Sequence, residues 1–325
     1  FLQDEIIFNE KVSLIFGARY DNISYFNESF ITSGYGLQTK TFKRITPKAG
    51  LTYLLSDSQS LYANYGGGIE VPAGNETDPS GTYGQDEVYL INPLLEPIIS
   101  NTLEVGTKHL ITSDGKDNLV KSISYDAALY YIKVDNDIIP YRGGRFYFTA
   151  GVTERLGAEL AASIQFKNDL TVNAAFTISD NSYQEYQIDS VHYDLNKAGR
   201  FADYKGNKVA GIPGFFYNLG VSYAPAQLKG IFLSFGLNGI GKYFSDDANT
   251  LNVPSFSVLN GTLGLTRPIV ISGDLAIRGF ITVNNIFDLK YASSAFINPD
   301  IVNGEAVFLE PGMPRNFVLS ISLNY

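Results

Sequence analysis

The 325-residue chain contains no cysteine and no tryptophan, and only two histidines, His109 and His192. Without thiols there is neither a disulfide framework nor a thiolate metal centre. Two histidines leave little material for a His-based zinc site or a catalytic imidazole network. Positive charge is also short. A formal net charge of −9 offers no basic surface for phosphates, so nucleic acid is not an expected partner. No apolar run reaches the roughly 18 residues that a transmembrane helix needs. Residues 1–8, FLQDEIIF, lack a basic start, a long apolar run and a cleavage site, so no secretory signal is expected there. If the protein is exported, its leader has been removed or lies upstream.

What the chain does have is 22 Tyr, 22 Phe and 31 Gly, a composition suited to sheet rather than helix. Several segments alternate with the period of a two-faced strand. Leu170, Val172, Ala174, Phe176 and Ile178 interleave with Thr171, Asn173, Ala175, Thr177 and Ser179. The pattern repeats at 215–223, 231–239, 275–284 and 317–325. A soluble sandwich buries the apolar face against a second sheet. A membrane barrel turns it to lipid and keeps small polar residues in a wet lumen.

Length separates these two environments. About thirteen strands are expected, many of about 9–14 residues, against a globular mean of about 5–6 and the 9–11 that span a bilayer. Short connections near 9–11, 56–59, 113–121, 167–169, 225–230 and 267–273 alternate with long ones near 27–40, 71–101, 137–147, 181–213, 245–254 and 292–315. Short turns at one end and long loops at the other are the outer-membrane arrangement, and a Greek-key sandwich gives no reason for it. The fold expected is an all-β, antiparallel transmembrane barrel occupying residues 1–325. Tyr20, Tyr53, Tyr62, Tyr223, Tyr243, Tyr291 and Tyr325, near strand ends, are expected to form aromatic girdles at the two interfaces.

Particular motifs add a family. VNNIFDLKY at 283–291, followed by PGMPR at 311–315 and a final strand ending in an aromatic, resembles the C-terminal signature of TonB-dependent receptors. SLIFGARYD at 13–21, TPKAGLTYLLSDSQSLYANYGGGIEVP at 46–72, NPLLEP at 92–97 with LEVGTK at 103–108, and AGVTERLGAELA at 150–161 resemble further stretches of that family. There are departures, such as Glu96 for the usual Lys and Thr149 for the usual Asn. The resemblance implies a barrel of about 22 strands filled by an N-terminal plug. This chain would supply the last thirteen or so, with plug and TonB box outside it. It implies an outer-membrane receptor that imports a ferric-siderophore or similar metal complex, energised by the TonB complex. The resemblance also implies no cofactor and no enzymatic activity. The alternative is a passive porin.

The histidines fall on opposite sides of the expected membrane and cannot share a catalytic site. Gly66-Gly67-Gly68 precedes a loop rather than a helix, so it reads as a place where the wall bends or another backbone approaches closely, not as a phosphate cradle. Asp246-Asp247 is a loop pair that could take a cation but reads as two solvated carboxylates. No other metal site is expected. In the 137–147 loop, Tyr141, Arg142, Arg145 and Tyr147 gather aromatics and two guanidinium forks matched to carboxylate or catecholate oxygens, and Arg200 joins them from the 181–213 loop. They are the candidate ligand contacts, although the arginines could instead pair with Asp135 or Asp137. Phe317, Leu319, Ile321, Leu323 and Tyr325 form a terminal strand that, by the resemblance, is read by the barrel-assembly machinery. Its apolar face would then rest in outer-membrane lipid.

Overall fold

The computed structural model describes residues 1–28, 37–73, 96–113, 115, 118–141, 146–149, 151–189, 201–302 and 305–325. Fourteen strands form one antiparallel sheet. The crossing strands are β1 (Leu2–Asn9), β2 (Val12–Asn27), β3 (Gln38–Ser56), β4 (Gln59–Glu70), β5 (Ile98–Thr112), β6 (Val120–Asp135), β7 (Val152–Phe166), β8 (Leu170–Glu185), β9 (Phe215–Tyr223), β10 (Ile231–Ile240), β11 (Phe256–Leu265), β12 (Leu275–Asn284) and β13 (Asn316–Asn324). Each crossing strand pairs with its chain neighbours, so the topology is a plain meander. Among the described residues β1 pairs only with β2 and β13 only with β12, which leaves the sheet open at both edges.

The remaining member of the sheet, Ile269–Ser272, also pairs with β12. Pro268, which has no N–H to give the ladder, separates it from β11. The connection expected at 267–273 is therefore tighter than its sequence suggests. The chain resumes as a strand after Pro268 and turns at Gly273, whose φ of 56° suits glycine.

Register carries the alternation across the wall. Leu170, Tyr223, Leu233, Leu263, Ile281 and Leu319 form one row of directly paired residues. The next row, on the other face, is Thr171, Ser222, Ser234, Thr262, Thr282 and Val318. Thr262 and Thr282 share a hydrogen bond of 2.9 Å within it. The polar face is concave: Ser60, Lys108, Asp126, Ala161, Asn173 and Asn218, from six strands, line one cavity of about 740 Å³.

The other face buries nothing. Leu103, Leu129, Leu156, Ile178, Leu263 and Leu319 are each about half exposed or more. Among the described residues ten hydrophobic side chains are buried, and Ile139, Tyr183, Tyr186, Val209, Ala210, Tyr243 and Val253 of them sit at or beyond the ends of the strands that meet the long connections. A continuous apolar surface of this kind signals contact with another apolar phase.

Strand length differs across the sheet. β9 to β13 have 9 or 10 residues, close to a bilayer's thickness. β2, β3, β6 and β8 have 16 to 19, so on that side the wall continues past the apolar band. β8 runs to Glu185, beyond the alternation expected to end near 180.

Three of the expected girdle tyrosines lie elsewhere. Tyr20, Tyr53 and Tyr223 share rows with the apolar face. Tyr62 instead sits on the polar face opposite Gly106. Its ring covers that glycine so closely that a Cβ there would come within 2.5 Å of Tyr62 Cζ, an aromatic ring filling the space above a strand glycine. Tyr130 covers Gly157 in the same way. Tyr243 is buried among the long connections, and Tyr291 lies beyond β12 with its ring centroid 4.4 Å from that of Phe256. Sequence proximity to a strand end did not reveal which face each ring takes. The glycine run 66–68 lies inside β4, where a Cβ on Gly67 would meet Pro47 Cδ at 3.0 Å, the close approach expected.

The two faces make a paired test. Phe235 lies on the apolar face opposite Val221 and Gly261, and Ser234 on the polar face opposite Ser222 and Thr262. In lipid-vesicle unfolding titrations, Phe235→Arg is expected to cost about 2–4 kcal/mol, and Ser234→Arg well under half of that. Equal costs would contradict the assigned faces.

Candidate functional site

The two-residue turns lie at one end of the wall, and the long connections cluster at the other. Four of them, 136–151, 186–214, 241–255 and 285–315, carry short strands of their own. They meet round one buried carboxylate. Tyr183 at the end of β8 donates its hydroxyl to Asp247 Oδ1 at 2.6 Å. Tyr186, just beyond β8, donates to Oδ2 at 2.9 Å, and Asn298 Nδ2 reaches the same oxygen at 2.9 Å. In return Asn298 Oδ1 accepts the Asp247 backbone N–H at 3.0 Å, and Asn207 Nδ2 donates to the Asp247 carbonyl at 2.7 Å. Ile139 and Val209 pack with Tyr183 and Tyr186 into a small apolar cluster flanked by Tyr204 and Ile212. Each of the four connections thus contributes to the same knot.

Asp246 does a local job. Its carboxylate accepts the backbone N–H of Thr250 at 2.9 Å and of Leu251 at 2.7 Å, and the Thr250 hydroxyl at 2.6 Å. The expectation of two solvated carboxylates is therefore overturned, since Asp246 is 8% and Asp247 1% exposed. Among the described residues no three metal-ligating side chains come together. Asp247 escaped the sequence reading because its partners lie 51 to 64 positions away. Only the Asp246–Thr250 turn was within reach of local pattern.

Burial pushes the Asp247 carboxyl above the usual carboxylate range, and Asp246 beside it adds to that, against the three donors that pull it down. A raised acid binds more protons folded than unfolded. Its contribution to stability is therefore greatest at low pH and declines as pH climbs from the ordinary 3.8 towards the raised value.

A second knot lies at the root of the 285–315 connection. Asn285, buried and with φ 51°, donates its amide to the Leu289 and Met313 carbonyls at 2.9 and 3.1 Å and accepts the Leu289 N–H at 2.8 Å. Its own N–H goes to Asn260 Oδ1 at 2.9 Å. Asp288 Oδ1 accepts the Arg315 N–H at 2.8 Å. The VNNIFDLKY and PGMPR segments thus close on each other, tying β12, β13 and β11 at their outer ends.

Of the candidate ligand contacts, Tyr141 ends the strand Ile138–Tyr141 and Tyr147 lies in Phe146–Thr149, where the register sets Tyr141 opposite Phe146 and Pro140 opposite Tyr147. Arg142, Arg145 and Arg200 lie outside the described residues, as does His192. The carboxylates offered as their alternative partners have cations already: Lys133 stands 3.2 Å from Asp135 and Arg155 3.1 Å from Asp137. His109 Nδ1 lies 3.2 Å from the Tyr125 hydroxyl, near the short turns.

Comparison with known proteins gives the following. The family model described as TonB dependent receptor-like, beta-barrel, matches residues 1–286. The ferrichrome outer membrane transporter/phage receptor of Escherichia coli K12 is 25% identical over 292 residues, covering 88% of this chain and 34% of that protein. The ferrioxamine receptor of Yersinia enterocolitica is 26% identical over 302 residues, covering 91% of this chain and 36% of that protein. The chain therefore spans about a third of the length of these curated relatives. Among solved structures, the siderophore receptor PiuA from Acinetobacter baumannii superposes with TM-score 0.71 at 20% identity, over 99% of this chain and 42% of that one.

Two outcomes test these knots. Hydrogen exchange of the 241–255 segment, corrected for the intrinsic pH effect, should slow as pH falls from 7.5 towards 3.8, and Asp247→Asn should remove that trend; an opposite pH trend would contradict the raised carboxyl. Asn285→Ala leaves buried carbonyls and an N–H without partners, so it should cost about 2–4 kcal/mol in chemical unfolding. A cost below about 0.5 kcal/mol would show that the motif serves something other than this closure.

Proposed function

Since the chain belongs to the TonB-dependent receptor β-barrel family, whose members reside in the bacterial outer membrane, we propose that it forms wall and outer loops of an active importer of a metal–siderophore complex. The observation that carries this reading is the asymmetry of the wall. Its concave polar face ends at one side in tight turns and at the other in four long connections packed together, a built approach for a ligand arriving from outside. The named cargo of the ferrichrome and ferrioxamine relatives supports a metal chelate as the ligand class. Energy would come from the TonB complex acting on a plug outside this chain.

In this reading Tyr141, Arg142, Arg145, Tyr147 and Arg200 contact the chelate. Aromatic rings supply area, and guanidinium groups grip its oxygens in pairs. Phe317, Leu319, Ile321 and Leu323 follow one face of β13 and are 60 to 68% exposed. With Tyr325 they would first meet the barrel-assembly machinery, by strand addition to a free edge, and afterwards lipid.

Uptake decides between importer and pore. In an iron-starved strain lacking the gene for the full-length protein, restoring it should restore accumulation of one class of radiolabelled ferric chelate, and deletion of TonB should abolish that uptake. Uptake that survives loss of TonB and extends to unrelated small solutes would make the protein a porin. Arg142→Ala and Arg145→Ala should each weaken chelate binding to outer-membrane vesicles roughly tenfold to a hundredfold, the worth of one charge-assisted hydrogen bond. Unchanged affinity in both would remove them from the contact set.

A further inference from the structure

A carboxylate that is 1% exposed and receives two tyrosine hydroxyls and an amide is an improbable ornament for a surface loop. Desolvating a charge is expensive, and removing its partners afterwards is more so. Its partners are also distributed in an informative way. Tyr183 and Tyr186 lead into the 186–214 connection, Asn207 lies within it, and Asn298 belongs to 285–315. Asp247 itself stands in 241–255. Ile139, from 136–151, packs on the two tyrosines.

Backbone bonds join the same segments directly. Gly211 N–H donates to the Phe244 carbonyl at 2.8 Å, and Asn298 N–H to the Ser245 carbonyl at 2.8 Å. The charged groups nearby already have other engagements: Asp246 caps its own turn, Asp137 holds Arg155 at 3.1 Å, and Lys208 holds Asp180 at 2.5 Å.

We propose that Asp247 is a common latch, through which the segments 136–141, 201–214, 241–255 and 285–302 open and close as one body rather than as independent loops. The latch acts in series with each connection. No connection can swing away from the wall while its partners stay without stripping a donor from a buried carboxylate or baring the Tyr183–Tyr186 cluster. Opening any one therefore opens all, which is cooperativity in the sense of a local unfolding unit. The inference concerns coupling alone and does not depend on which ligand, if any, the protein imports.

Hydrogen exchange on the full-length receptor in outer-membrane vesicles reads the coupling directly. The reporters are hydrogen-bonded backbone amides in the four connections: Asn136, Val209, Gly211, Ser245 and Asn298. In Asp247→Ala all five should exchange faster by a common factor of about tenfold or more, the equivalent of about 1.4 kcal/mol. Leu219 and Phe235, in the middle of β9 and β10, should keep their rates. Tyr186→Phe keeps the ring and loses one donor, so it should show the same pattern with a smaller common factor, and it serves if the alanine variant does not reach the membrane. Acceleration confined to 241–255 in either variant, or factors that differ widely between the four connections, would overturn the latch. Equal acceleration of Leu219 and Phe235 would overturn it too, because Asp247 would then hold up the whole wall.

Discussion

Every backbone N–H and C=O in the membrane-spanning part of this chain has to find its partner on a neighbouring strand, because neither lipid nor a neighbouring sheet will supply one. That constraint makes the ladder continuous from β1 to β13 and fixes everything else about the wall. Once the ladder is fixed, side chains have only two directions. A slip of one residue would carry Leu233, Leu263 and Ile281 into the lumen and Ser234, Thr262 and Thr282 into lipid. The register is therefore held by the difference between two solvents rather than by core packing. The wall can thus afford glycine at 106 and 157, provided that Tyr62 and Tyr130 cover the gaps.

Outside the membrane the constraint reverses. Water can satisfy any backbone group there, so loops have no need of a continuous ladder and stay ordered only if side chains hold them. Two solutions are visible. At the root of 285–315, Asn285 uses three of its side-chain amide's hydrogen-bonding positions on backbone, and its left-handed φ is one that asparagine tolerates. Further out, Asp247 does at long range what Asn285 does at short range: burial raises its pKa, and the hydroxyls of Tyr183 and Tyr186 hold it down. The buried apolar cluster of Ile139, Tyr183, Tyr186 and Val209 thus sits at the loop layer.

This division explains what could be read from sequence. The wall was legible because its physics is local and periodic: alternation gives the faces, connection lengths give the two ends, and the meander follows. The signature motifs were recognisable as strings, but their cause, the mutual closure of 283–291 and 311–315, required coordinates. Failures came where a residue's role depends on distant partners. Tyr62, Tyr243 and Tyr291 all look like girdle residues by position, yet one covers a glycine, one is buried among loops and one packs on Phe256. Asp247 looks solvated because its side-chain partners lie 51 to 64 positions away, and only the turn from Asp246 to Thr250 is local. Pro268 looks like the end of a strand, and the strand resumes after it.

A buried charge in a loop layer has to be weighed against the alternative of an apolar one. A hydrophobic residue at 247 would pack against Tyr183 and Tyr186 with no desolvation cost, and such replacements are frequently as stable or more so. It would not, however, select among arrangements, because apolar contacts are non-directional and tolerate sliding. The carboxylate offers two oxygens, and they are approached at 2.6 to 2.9 Å by two tyrosine hydroxyls from the end of β8 and by the Asn298 amide from 285–315. Only one mutual placement of those segments meets all of these distances. The layer is consequently either assembled in that placement or released from it, with little stable ground between. The wall and the loop layer thus use different chemistry in one chain: continuous backbone pairing for the first, and an acceptor shared between segments for the second.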